Sequence, residues 1–324
     1  MPCRDNVIHA GLHCDTPVCL LTWIVPTRSQ SKRETTIDVL RAPSLAKIPW
    51  LVHGFSTRQG GASKIYGNAL NLGFTPDDSW AAVERNRRAF TAALTRGLER
   101  RARSSKQGTW PLITLRQIHS DIVHWVSGVP EAPLPGDGLI TRTPGVLLAV
   151  MTADCLPVIL VDPKHRAVGV FHAGWRGTVA RIVEKGIGEM RKYFGTGPAD
   201  LKAAIGPGIR GCCYQVGQEL KDKFESQFGY ARELFRETKD RDEIHERYPL
   251  LFLTARAPGH SELPKKIFLD LAEANRRQLL AAGVLGRNIC DLGLCTSCHS
   301  DRFFSHRAEK GNTGRMMAVV GIRA

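Results

Sequence analysis

No run of apolar residues in this 324-residue chain is long enough to span a bilayer. No convincing export signal is read either. The apolar stretch Val18 to Val25 is short, follows Asp5 and Asp15, and leads to no small-residue cleavage site. Internal repeats are missing, which sets aside solenoids and propellers. Acidic residues are outnumbered, 31 against 45 lysines and arginines, for a net charge of +14 and a pI of about 9.6. That balance favours anionic partners. The strongest basic stretch, from Arg85 through Arg87, Arg88, Arg96, Arg100, Arg101 and Arg103 to Lys106, lacks interleaved aromatics and any nucleic-acid motif. It reads as a solvated helix end and loop, so nucleic acid is not an expected partner.

With 43 % hydrophobic and 23 % charged residues, the chain can bury a sizeable core. Its nine cysteines are odd in number, and Cys212 and Cys213 are adjacent. A chain of this length does not need a disulfide framework. Free thiols in a reduced, cytoplasmic protein are expected.

Residues 1–46 hold Cys3, Cys14 and Cys19 without a clear period, and read as a disordered or loop-like extension, dispensable for activity. Order is expected from about Pro49, with residues 47–324 forming the catalytic domain. Trp50 to Phe55 reads as a strand entering the turn Ser56-Thr57-Arg58-Gln59-Gly60-Gly61. Asp77 or Asp78 is positioned to cap a helix carrying Trp80, Val83, Asn86 and Phe90. Leu112 to Leu115 and Ile122 to Val126 read as strands. The continuous apolar runs at 146–151, 156–161 and 167–171 suit strands buried on both faces. Helices are expected at 179–194, 218–228 and 270–282, an exposed helix or insertion at 231–247, and a closing strand at 315–322. The mixture indicates one α/β-type domain with mixed strand directions.

Reactive residues sit beside glycine turns in four segments: Arg116 to Ser120, Thr152 to Pro157, Phe171 to Thr178 and Ile205 to Ile209. Each lies near a strand end, where a rigid scaffold holds binding loops. Taken singly, Cys155 reads as an inert buried thiol and His172 as a structural histidine, and His119 is ambiguous. Together, two imidazoles and a thiolate are good zinc ligands, but spacing alone does not assemble them. Arg58 and Arg176 each lie in a glycine turn and suit either phosphate binding or a surface ion pair. Cys295-Thr296-Ser297-Cys298-His299 matches the c-type haem attachment pattern. Without an export signal haem is not expected, and as a second zinc site the segment is short of ligands.

Several motifs occur in an order that resembles the YfiH/laccase-domain family. They are His53 to Gly61, Gln117-Ile118-His119, Asp137 to Thr141, Ala153 to Pro157, His172 to Gly177, Gly206 to Ile209 with Cys212 to Gly217, Asp270-Leu271 with Asn275 and Gln278-Leu279, Phe303 to Arg307, and Gly314-Arg315. The resemblance runs from about Pro49 to Ile322. It implies an α+β fold, a single domain of layered mixed β-sheets flanked by helices. It also implies a metal held by His119, Cys155 and His172, zinc first and copper as the alternative, with phosphate bound by Arg58 and Arg176. The implied reaction is phosphorolysis of a purine nucleoside (adenosine, inosine or methylthioadenosine) to free base and ribose 1-phosphate, with adenosine deamination in some members. The alternatives are a copper-dependent polyphenol oxidase, for which the chain is short of paired histidine motifs, a cysteine hydrolase using Cys155, and a non-catalytic nucleic-acid binder.

Overall fold

Two sheets stacked face to face set the architecture, and a helical layer covers each outer face. The computed structural model describes residues 37–96, 110–239 and 265–323. In chain order the elements are β1 (Val39–Leu40), α1 (Pro43–Ala46), β2 (Leu51–Ser56), α2 (Trp80–Thr95), β3 (Leu112–Ile113), β4 (Val123–Trp125), β5 (Gly138–Thr141), β6 (Leu147–Thr152), β7 (Leu156–Asp162), β8 (Ala167–Ala173), α3 (Trp175–Val179), α4 (Ile182–Phe194), β9 (Lys202–Ile205), β10 (Gln215–Val216), α5 (Gln218–Gln227), β11 (Phe235–Lys239), β12 (Lys265–Leu269), α6 (Leu271–Ala281), β13 (Ile289–Asp291) and β14 (Met316–Ile322).

One sheet has the order β1-β2-β14-β6-β3 and the other β13-β9-β7-β8-β5-β4, while β10-β12-β11 forms a small third sheet. Most pairings are antiparallel; β3/β6, β4/β5 and β9/β13 are parallel. Alternation along the strands explains the layers. In β7, Ile159 and Val161 face the core between the two large sheets, with Leu148, Val150, Ala318 and Val320. Their neighbours Val158 and Leu160 join the core beneath the helices, with Ile187 and Met190 of α4 and Leu279 of α6. On the far side, Leu147, Ala149 and Val319 pack under Phe90 and Leu94 of α2. Strands buried on both faces have no polar side, hence the unbroken apolar runs. The result is the expected α+β arrangement of layered mixed sheets.

Some local expectations need correcting. Order begins before Pro49: β1 pairs with β2, Leu45 of α1 is fully buried in the inter-sheet core, and residues 37–46 are thus part of the fold. Residues 1–36 lie outside the described residues, as do 97–109 of the basic stretch and 240–264. The cap of α2 is Ser79, whose hydroxyl accepts from Ala82 N. Asp78 instead accepts from Ser79 N, and its other oxygen from Asn71. In the segment expected as an exposed helix or insertion, residues 231–239 form a short 3-10 turn and then β11, because Phe235 and its successors pair with β12.

Candidate metal and catalytic site

His119, Cys155 and His172 come together at one end of the six-stranded sheet. Cys155 immediately precedes β7, and His172 is the penultimate residue of β8, paired with Pro157 across the β7/β8 ladder. His119 arrives from the loop between β3 and β4. The ligand atoms of the three residues all lie within 4.8 Å of one another, and the two imidazole rings meet edge to face at 4.9 Å. His172 is buried, Cys155 half-buried and His119 exposed, so the group opens to solvent on the His119 side.

Asp137, at the entrance to β5, organises this convergence. Its Oδ2 accepts from Ile118 N (3.2 Å), Ser120 N (2.6 Å) and Ser120 Oγ (2.8 Å). Its Oδ1 accepts from His119 N (3.1 Å) and His172 Nδ1 (2.8 Å). One buried carboxylate therefore fixes both the His119 loop and the His172 ring. Burial works against its ionisation, but the bonds from His172 and Ser120 prevail and hold Asp137 at about 2. An ionised carboxylate only accepts, so Nδ1 of His172 carries a proton and Nε2 is the nitrogen left for a metal, the arrangement of a metal-ligating histidine. Burial likewise opposes ionisation of Cys155, yet the neighbouring His172 and His119 bring the thiol below its ordinary value. Cys155 and Asp137 conversely raise His172 against its burial. The thiolate that a metal needs is thereby favoured.

The surrounding backbone is built for this site. His119 and Asp154 have φ of 58° and 89°, left-handed conformations sparsely populated by non-glycine residues. The Gln117 side chain imitates a strand partner, donating to Met151 O and accepting from Met151 N at 2.8 and 2.7 Å. Asp154 ties the site to the C-terminal segment. It accepts from Thr296 Oγ1 (2.6 Å), Ser305 Oγ (2.7 Å) and Arg307 N (2.7 Å). At Gly174 a Cβ would stand 2.9 Å from Cys155 Sγ and 3.4 Å from His119 Cδ2, so the close approach of the loop requires glycine.

Beside the three residues lies a cleft of about 700 Å³ lined in part by Trp175, Arg176, Tyr214, Glu219, Lys223 and Arg307. The guanidinium of Arg176 sits 4.3 Å from the Trp175 ring centre, with Lys223 Nζ over the same ring at 5.3 Å, and Arg307 stands over Tyr214 at 5.5 Å. The aromatic faces thus hold three cations toward one cleft. Burial, with Cys155 nearby, pushes the Tyr214 phenol up to about 12, so it stays protonated.

Arg58 does not line this cleft. Its Nη1 makes a 3.0 Å ion pair with Glu309 and donates to Ser300 O at 2.7 Å, and its guanidinium stacks on Phe304. That geometry braces the C-terminal segment. Tyr214 and Arg307 appeared in the sequence only within motifs and Lys223 not at all, since neither spacing nor residue type distinguishes them from surface groups. Asp137 appeared only as part of a motif. Its position between the Gln117-Ile118-His119 loop and a strand opening in Gly138 was the available signal.

Comparison with known proteins agrees with the fold and the motif order. The model of the family described as "Multi-copper polyphenol oxidoreductase laccase" matches residues 52–323. The purine nucleoside phosphorylase YlmD of Geobacillus stearothermophilus is 36 % identical over 281 residues, covering 84 % of this chain and 90 % of that protein. The adenosine deaminase RL5, from an unknown prokaryotic organism, is 37 % identical over 191 residues, covering 59 % of this chain and 64 % of that protein. The crystal structure of YlmD from Geobacillus stearothermophilus superposes with a TM-score of 0.68 at 34 % identity, covering 91 % of this chain and 98 % of that one. A family model matched from Val52 nearly to the last residue, and a relative of the same extent above one-third identity, make this chain a member of the YfiH/laccase-domain family.

Proposed function

We propose that this chain is a metal-dependent purine nucleoside phosphorylase, with zinc at His119, Cys155 and His172. The observation that carries the reading is a two-imidazole, one-thiolate group beside a cleft into which Arg176, Lys223 and Arg307 are held. The donor set fits zinc: borderline ligands, three in number, with a fourth position left for substrate as in catalytic sites. Bound there, zinc would supply a Lewis acid.

The chain's own residues bind and orient the reactants. A phosphate oxygen attacks the anomeric carbon of the ribose, the bond from that carbon to the purine nitrogen breaks, and the base leaves with the bonding pair and takes up a proton. Phosphate carries at least one negative charge near neutrality. The Arg176 fork, with Arg307 and Lys223, offers it charge-assisted bonds that a neutral nucleoside does not need. The Trp175 and Tyr214 rings keep those cations aimed into the cleft. Glu219 offers an acceptor for a ribose hydroxyl, and the protonated Tyr214 a donor. The relative named adenosine deaminase supports deamination of adenosine as a second activity of the same residues. The Asp137–His172–Cys155 chain also suits a cysteine nucleophile, but a second imidazole within reach of the thiol, that of His119, favours a metal.

The test supplies purified protein with inosine and, separately, adenosine, with and without phosphate, before and after chelation. The expected outcome is phosphate-dependent release of hypoxanthine or adenine with equimolar ribose 1-phosphate, abolished by chelation and restored by zinc. Turnover that ignores phosphate, or that survives complete metal removal, or a covalent adduct on Cys155, would reject the reading.

A further inference from the structure

A second group of cysteines converges away from the site just described. Cys212 and Cys213 lie in the turn between β9 and β10, and Cys295 and Cys298 in the segment between β13 and β14. All four sulfurs lie within 4.8 Å of one another. Cys298 Sγ is 3.4 Å from Cys212 Sγ and 3.3 Å from Cys213 Sγ. A disulfide needs about 2.05 Å between sulfurs, and these cysteines are free. Four thiolates around zinc at about 2.3 Å sit about 3.8 Å apart along the edges of a tetrahedron. The observed spacing matches that cage rather than a disulfide.

We propose that Cys212, Cys213, Cys295 and Cys298 form a second, structural metal centre, a closed tetrathiolate site for zinc. The sequence supplied only the Cys295-x-x-Cys298 half, which by itself is short of ligands. The fold brings in the other half from 85 and 86 residues away. The two segments are already joined by a parallel bridge between Gly208 and Cys295, with Gly208 N bonded to Leu294 O and Thr296 N to Gly208 O. A dication bound among the four sulfurs would deprotonate its coordinating thiols outright.

The site has a structural consequence for the cleft. Tyr214 follows Cys213 directly, and Arg307 donates to Gln215 O at 2.7 Å while standing over the Tyr214 ring. A metal at the four sulfurs staples together the two segments that carry this wall. Closing a loop of more than eighty residues removes substantial entropy from the unfolded chain.

The experiment uses the full chain carrying Cys155→Ala, which removes a ligand of the first site but none of the second. Metal analysis after growth with zinc should find one zinc per chain in this variant, and close to none when Cys298→Ser is added. Cobalt loaded in place of zinc should give the intense sulfur-to-metal charge-transfer bands and tetrahedral ligand-field bands of a four-thiolate site. Should Cys298→Ser fail to fold, alkylation of the Cys155→Ala protein decides. Cys212, Cys213, Cys295 and Cys298 should resist modification until zinc is removed, as mapped by mass spectrometry. A metal-free Cys155→Ala protein with all four thiols reactive, or a mass two hydrogens low from a disulfide among them, would overturn the proposal. Because the first site is disabled throughout, either result is independent of the nucleoside reaction.

Discussion

Asp137→Asn replaces one carboxylate oxygen with an amide NH₂ and changes almost nothing in shape. The hydrogen bonds make the change severe. If the NH₂ takes the Oδ2 position, it faces Ile118 N, Ser120 N and Ser120 Oγ, of which the two amides are obligate donors. If it takes the Oδ1 position, it faces His119 N, again an obligate donor, and His172 Nδ1. In the second case His172 can respond only by accepting at Nδ1, which moves the proton to Nε2 and removes the lone pair that holds the metal. Each buried donor left without a partner costs about 1–3 kcal/mol, so the first arrangement loses about 2–6 kcal/mol of stability. The second arrangement spares one of those bonds but forfeits the ligand. The lowered pKa of Asp137, from 3.8 to about 2, gives a compatible scale of about 2 kcal/mol for the preference for the ionised form. That stability is present above pH 4 and is lost as pH falls through 2. The variant should bind zinc at the first site about 10- to 100-fold more weakly, the range typical of lost outer-sphere partners. Competition with a chromophoric chelator, in a Cys298→Ser background so that only the first site reports, measures this. Thermal unfolding of the metal-free protein measures the stability loss separately. Unchanged zinc affinity together with an unchanged melting temperature would mean that Asp137 does not set the His172 tautomer.

Arg176→Ala should raise the phosphate Michaelis constant by about thirty-fold, on the order of 2 kcal/mol for a lost bidentate contact, with little change for inosine. Arg176→Lys should recover only part of this, and steady-state kinetics with each substrate varied separately is the check; a change confined to inosine would count against a phosphate role. Removal of residues 1–36 should leave turnover within a few-fold, whereas removal up to Lys47 should lower stability by about 3 kcal/mol or more, read by chemical denaturation, because it strips buried Leu45 and Ala42 from the inter-sheet core. His53 is buried and accepts from Ala42 N at 3.1 Å, and burial, with Arg41 nearby, lowers it from 6.5 to about 4. The unfolded chain therefore takes up its proton first, and between pH 6.5 and 4 the wild type should lose up to about 3 kcal/mol relative to His53→Gln. Parallel pH dependence of the two denaturation curves would show that His53 is not kept neutral by the fold.

The central strands were legible because burial on both faces leaves an unbroken apolar signature, as in β6 and β7. Short strands such as β5, β9 and β13 carry three or four residues each, too few to set a period, and their existence follows from neighbours that only the tertiary fold provides. The amphipathic helices α4 and α6 were readable from their spacing to within a few residues. At the site, the ligand types were visible but their convergence was not. His119 is carried by a loop whose path is set by Asp137 and by the Gln117–Met151 pair, both long-range contacts. Cys212 and Cys213 looked like isolated thiols for the same reason. Arg58 and Arg176 were indistinguishable in sequence, each an arginine in a glycine turn. Glu309 and the carbonyls that occupy Arg58, and the Trp175 face that presents Arg176, distinguish them in space.

The β7/β8 hairpin sets the position of two of the three ligand residues through its register, with Pro157 opposite His172 and Leu156 opposite Ala173. Side chains alternate faces with a period of two, so a slip of one residue would turn His172 to the opposite side of the sheet and leave Cys155 without its partner. In a hairpin whose two strands are almost uniformly apolar, greasy contacts alone discriminate poorly between neighbouring registers. The turn resists such a slip, since Asp162 accepts from Lys164 N, His165 N and His165 Nδ1. Under the proposed function, metal capture would be a second safeguard at the other end of the same hairpin, because only the correctly aligned strands present a complete claw. An ion bound there for chemistry would then also act as an assembly proofreader, favouring the one alignment of two slippery strands that completes its ligand set.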